Sequence, residues 1–190
     1  MTTITLKSLI ERRACYSRER LEALFDRPYT PLEVLTNQHG PWADVPDDDR
    51  LLAVLHKGVI DDRTLRLFAC DCAERALERE RKAGRKPHAD SWKAIEVARR
   101  FADGKATNEE LKAARSAAAA ASNASNAAAA YAYAAAAYAA AYAYAASNAS
   151  AAYASNAAAS AAYAANAAAA YAAERRWQVE RLVQMLKGGA

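Results

Sequence analysis

Cys70-Asp71-Cys72 is the segment of this chain that looks most like chemistry, with His56 and His88 as candidates to share an ion or a reaction. Zinc takes thiolate and imidazole ligands, and a thiolate beside a base is a nucleophile. On a helix, however, positions i and i+2 point about 200° apart, so Cys70 and Cys72 do not converge on one ion. A catalytic thiol also needs a lowered pKa and a neighbouring base. The plain reading of both cysteines is as small buried hydrophobes. Asp47-Asp48-Asp49 and Asp61-Asp62 have the composition of a cation site or of general acids. Both clusters fall where helices are expected to start, and acids there complement the helix dipole. The run ERERKAGRK (78–86) could meet phosphate, but it mixes glutamates with its bases and closes a helix, so it reads as a solvated helix end. There is no Gly-rich phosphate loop, no Ser-His-Asp pattern that spacing supports and no metal-binding helix motif. The expectation is a non-enzyme with no cofactor and no metal.

The elements that must position these residues are short helices with marked ends. SRERLEALFD has Leu21, Leu24 and Phe25 at helical spacing behind Ser17 as N-cap. YTPLEVL puts Thr30 at the N-cap, Pro31 at the first helical position and Glu33 two further on, a capping box with the favoured proline. Residues 37–49 read as a loop, followed by a helix with acids in its first turn and Gly58 as its stop. The longest helix is expected over 61–84, with Leu65, Phe68, Ala69, Cys72, Ala76 and Leu77 as its apolar stripe and Gly84 at its end. HADSWKAIEVARRFADG gives another, with Trp92, Ile95, Val97, Ala98 and Phe101 for the core and Gly104 closing it. Thr107 and Glu110 form a second capping box that opens the last helix. No run alternates with period two, so the fold class is all-α.

Residues 116–173 are 58 residues made only of Ala, Ser, Asn and Tyr. Alanine has the highest helix propensity, and nothing stops a helix from 107 until about Lys187. At 100° per residue, Tyr131, Tyr138, Tyr142, Tyr153, Tyr163 and Tyr171 fall within about 40° of one line, with Tyr133 and Tyr144 on the opposite side. Asn156 and Ser160 lie inside that stripe, while the other polar residues lie away from it. The common phase favours one long helix, or segments in register. The chain thus divides into a capped helical domain (1–106), an Ala/Ser/Asn/Tyr-rich helix (107–173) and an amphipathic helix end (174–190). In that last part Trp177, Val179, Leu182, Val183, Met185 and Leu186 are placed to dock on the N-terminal helices or on another subunit. The tyrosine face reads in two ways. It packs, with Ala letting helices approach closely, or it recognises, since Tyr, Ser and Asn are what paratopes use. In the recognition reading the binding residues are Tyr131, Tyr138, Tyr142, Tyr153, Asn156, Ser160, Tyr163 and Tyr171.

Of 26 Lys and Arg, 22 precede Ser116, as do 20 of 22 Asp and Glu, so the net charge of +4 divides into about +2 at each end. That is too weak and diffuse to point to nucleic acid. The tract is long enough to span a bilayer, yet it carries twelve Ser and Asn and only Ala as an aliphatic, so no membrane span is expected. Three cysteines without framework spacing and no signal-peptide pattern give a cytoplasmic, reducing setting as the expectation.

LFACDCAERAL, then WKAIEVARRFADGKAT, then an Ala-rich stretch, resembles the immunity proteins inferred for bacterial polymorphic toxin systems, in the fifth numbered family, and related Ala-rich phage and planctomycete proteins. The likeness covers about residues 63–115; the Ala tract is alike in composition, although it lacks the His, Arg and Asp that members intersperse there. The resemblance implies an all-helical, non-catalytic protein that acts by occupying a partner, a toxin or a defence protein. Two other readings of the residues stand beside it. One is a phage-type anti-defence sponge that encloses a nucleotide-like small ligand with Tyr and Asn. The other is a structural, self-assembling helical rod; an uncharged tract of this length is expected to be buried by self-association, as a homo-oligomer, or by folding back in segments.

Overall fold

A computed structural model of the chain describes residues 3–11, 16–36, 39–55, 58–123 and 168–188. Among them are eight α-helices and no strand: α1 (Leu6–Glu11), α2 (Arg18–Leu24), α3 (Pro31–Thr36), α4 (Asp47–Val54), α5 (Asp62–Lys82), α6 (Ala89–Ala102), α7 (Asn108–Asn123) and α8 (Ala168–Gly188). Non-helical pairing among these residues is one isolated antiparallel bridge between Ile4 and Tyr29, which ties the start of the chain to the entry of α3. The protein is all-α, as its periodicity indicates.

The helix ends form where the sequence marks them. Ser17 Oγ accepts from the Arg20 amide at 3.3 Å and caps α2. At α3 the Thr30 amide donates to Glu33 Oε2 at 2.7 Å and the Glu33 amide donates to Thr30 Oγ1 at 3.2 Å, which closes the capping box. The same reciprocal pair joins Thr107 and Glu110 at the start of α7. Gly84 has φ +78°, so the chain reverses there, and the Arg85 amide returns to the Glu80 carbonyl at 3.0 Å. α4 departs from expectation. It ends at Val54, with the Leu55 amide on the Leu51 carbonyl, and Gly58 belongs to the turn into α5. Burial of Val54 and Leu55, and then of Val59 and Ile60, folds both flanks of that turn into the core and stops the helix early.

The loop before α4 is held from within. Arg50 donates to the Val45 carbonyl at 2.7 Å and to the Ala43 carbonyl at 3.0 Å. Trp42 is buried beside it and meets Phe25 and Tyr29 edge-on, at 5.3 and 6.2 Å between ring centres.

α5 is the central element. Its expected stripe, Leu65, Phe68, Ala69, Cys72, Ala76 and Leu77, is 0% exposed throughout. Burial extends further round the helix, to Cys70, Asp71 and Ala73, because α6 packs on one side and α8 on another. α7 lies on α6 through Leu111, Ala114 and Ala118, spaced to fall on one face. α8 buries Val179, Leu182 and Met185 and packs on α3, α4 and α5, the first of the two expected docking modes. Of the single helix expected from 107 to about Lys187, α7 and α8 are the described ends; the stretch between them, residues 124–167, which carries all of the tyrosine stripe but Tyr171, lies outside the described residues.

Candidate functional site

Where α8 meets α5, two carboxylates are taken out of water and each is gripped by two arginines. Glu174, on α8, has its side chain 0% exposed and lies 2.8 Å from Arg75 Nε and 2.7 Å from Arg79 Nη1. Gln178, one turn on, donates its amide to Glu174 at 3.1 Å. Arg75 and Arg79 stand one turn apart on α5, so a single carboxylate can accept from both. Asp71, on α5, lies 2.7 Å from Arg99 of α6 and 2.7 Å from Arg181 of α8, so it joins three helices. Arg99 also reaches Glu74 at 2.5 Å. Burial alone would lower the pKa of Arg99, but Asp71 beside it, with Cys70 and Glu74, raises it above the ordinary value.

Over these pairs runs an open trough between α5 and α8. One part, about 440 Å³, is walled by Glu74, Arg75, Glu78, Arg79 and Lys82 on α5 and by Trp177 and Arg181 on α8. A second part, about 290 Å³, continues past Asp71 and Arg181 towards Arg63, Leu67 and Met185. Arg75 lies over the Trp177 ring, 4.5 Å from its centre. Arg181, paired with Asp71, stands between the two parts.

The residues singled out in the sequence fall elsewhere. Cys70 and Cys72 are free thiols in the core. Burial pushes Cys70 up to about 12 and raises Cys72 as well, so neither is a thiolate near neutral pH. His88 is the N-cap of α6, its ring nitrogen accepting from the Asp90 amide at 3.3 Å, and His56 lies outside the described residues. Among the described residues no group of three His, Cys, Asp or Glu is placed to hold a metal ion, and no helix is long and apolar enough to cross a membrane. Asp61 caps α5 through the Thr64 amide at 2.9 Å, and Asp47–Asp49 form the first turn of α4. Asp48 and Asp49 do more than favour a dipole: Asp48 pairs with Arg175, and Asp49 accepts from the Tyr16 hydroxyl. In the run 78–86, Arg85 grips the buried Glu80 through both carboxylate oxygens, which ties the helix end back on itself.

Of the tyrosine-stripe residues, Tyr131, Tyr138, Tyr142, Tyr153, Asn156, Ser160 and Tyr163 lie outside the described residues. Tyr171 is described: its hydroxyl meets the Asp48 carboxylate at 3.1 and 3.2 Å and accepts from Arg175 at 3.3 Å. The sequence reading missed Asp71, Arg75, Arg79, Arg99, Glu174 and Arg181 as a site. A signal was present. Glu174 is the first charge after 58 uncharged residues, and Arg75 and Arg79 are one turn apart on the face of α5 beside its apolar stripe.

The described residues form an all-helical protein with a polar trough between α5 and α8. Residues 58–185 match the family described as "Imm-5 like putative immunity protein", and the chain belongs to that family. The matched stretch includes α5, α6, α7 and nearly all of α8, and therefore both walls of the trough. No curated protein and no solved structure matches the chain.

Proposed function

We propose that this protein is an immunity-type binder that neutralises a toxin by occupying it, without chemistry of its own. The observation that carries this reading is the trough between α5 and α8, which lies wholly inside the family-matched residues apart from its last turn. Arginine and tryptophan are the side chains in which binding energy concentrates at protein interfaces. Here Arg75, Arg79 and Arg181 are held by the buried carboxylates of Glu174 and Asp71, and Trp177 lies against Arg75, so little ordering remains to be done on association. The deep burial of Cys70 and Cys72 supports a non-catalytic role for both thiols. Action in the cytoplasm, where free thiols persist, is part of the same reading. Nothing among the described residues favours the small-ligand sponge or the self-assembling rod.

The test is co-expression with candidate toxin domains from the same genome. A stable complex on gel filtration, with toxin activity lost in the complex and host growth restored, is the expected result. Failure of every candidate to form a complex, or a toxin that stays active within one, sinks the reading.

A further inference from the structure

We infer that the two buried carboxylate clusters between α5 and α8 fix the register of α8, which its apolar face alone leaves open by one helical turn; this stands independently of the partner-binding reading. α8 runs antiparallel to α5: Glu174 meets Arg75 and Arg79 towards the end of α5, and Arg181 meets Asp71 further back. The apolar residues of α8 repeat themselves. Val179 and Leu182, both buried, are followed four residues on by Val183 and Leu186, both half-buried. A slide of α8 by four residues, about 6 Å towards Lys82, seats Val183 where Val179 was and Leu186 where Leu182 was. It also brings Leu182 into the fully buried place of Gln178. The loss is at the far end, where Gly189 falls in the place of Met185. A core accepts a new set of apolar side chains when volume and pattern are kept, and what it gives up is uniqueness.

The charges separate the two seats. After such a slide Gln178 stands before Arg75 and Arg79, a neutral amide where two guanidinium groups now share an anion. Met185 stands before Asp71, which is left with Arg99 as its one ion-pair partner. Asp71 is buried, so water does not replace the lost pair. Glu174 moves out to the exposed place of Ala170, away from both of its arginines. A polar residue in an otherwise apolar seam sets register in coiled coils by the same penalty on every other alignment. Arg175 does not discriminate. It pairs with Asp48, and Tyr171, one turn earlier, meets that same carboxylate, so Arg175 keeps Asp48 within reach from either seat.

Moving the charges should therefore move the helix. A transposed variant combines Glu174→Gln with Gln178→Glu and Arg181→Met with Met185→Arg, which places both charges one turn later; Gly189→Met fills the far end of the second seat. Nitroxides on Lys82→Cys and Gln184→Cys report the slide along the α5 axis, by double electron–electron resonance on the full chain in a Cys15→Ser background. Lys82 and Gln184 are exposed, Gln184 would move to the place of exposed Glu180, and Cys70 and Cys72 are buried away from the label. The transposed variant should give a distance about 4–6 Å shorter than the parent, with the circular dichroism spectrum unchanged. A second variant, Glu174→Gln with Arg181→Gln, removes both charges without supplying new ones and should show the parent and shortened distances together. The parent distance alone in the second variant overturns the inference, whether or not the transposed one folds. The parent distance kept by a folded transposed variant overturns it as well. So does a broad distribution with no shortened peak, because α8 has then left its seat and found no other.

Discussion

Glu174 and Arg79 meet at 2.7 Å, the carboxylate fully buried and the guanidinium 28% exposed, and the contact keys α8 to α5. Arg75 completes it from the other side at 2.8 Å. A carboxylate in such a place is tolerated only because its charge is matched on two sides and Gln178 donates a further hydrogen bond.

Glu174→Ala leaves two guanidinium groups facing a cavity that was built for an anion. Removing one member of a buried pair costs about 3–5 kcal/mol, and the partial exposure of Arg75 and Arg79 lowers that to about 2–3 kcal/mol. Urea unfolding should give a midpoint lowered accordingly, with an unchanged slope. A loss below about 1 kcal/mol would mean that the pair does not hold α8.

Leu182 is 0% exposed on the docking face of α8, whereas Leu52 of α4 is 49% exposed. Leu182→Ala should therefore lose about 2–5 kcal/mol, through lost transfer energy and the cavity left behind. Leu52→Ala should change stability by less than about 0.5 kcal/mol. Parallel urea melts of the two variants check the contrast, and equal effects would place α8 off the core.

The Glu33 carboxyl is held down to about 2, first by the Arg27 guanidinium and then by the Thr30 amide and hydroxyl. A carboxyl lower in the folded chain than its unfolded value of about 4.3 stabilises the fold above that value. The contribution is lost as pH falls from there through about 2. An NMR titration should give Glu33 a midpoint near 2, and Glu33→Gln should flatten the stability profile in that window. A midpoint near 4 would mean that the capping box and Arg27 are not engaged.

Burial raises Cys70 to about 12, while an unfolded thiol ionises near 8.5. The folded thiol therefore stays protonated, and its stabilising contribution is complete below about 8.5 and lost as pH rises towards 12. In a Cys15→Ser background, iodoacetamide at pH 8 should label neither Cys70 nor Cys72 until denaturant is added. Rapid labelling of the native protein would show that α5 is not packed as described.

Local signals carried the helices. Ser17, Thr30 with Glu33, and Thr107 with Glu110 compete for amides three residues away, and Gly84 relieves a strained turn; such contacts are the same whatever surrounds them. Periodicity carried the core of α5 for a similar reason, because one face of a helix is fixed by a 3.6-residue repeat. The early end of α4 escaped, since it depends on Val54, Leu55, Val59 and Ile60 entering a common core.

By itself, then, the sequence determined that this chain is helical, where most described helices begin and end, which face of α5 is apolar, and the kinship later found over residues 58–185. Only the tertiary structure decided that Asp71, Arg99 and Arg181 meet, that Arg75 and Arg79 share Glu174, and that Tyr171 packs on Asp48. Those contacts join residues remote in sequence. Their energy comes from desolvating charges together, and no window of sequence contains the partner that makes burial of the charge favourable.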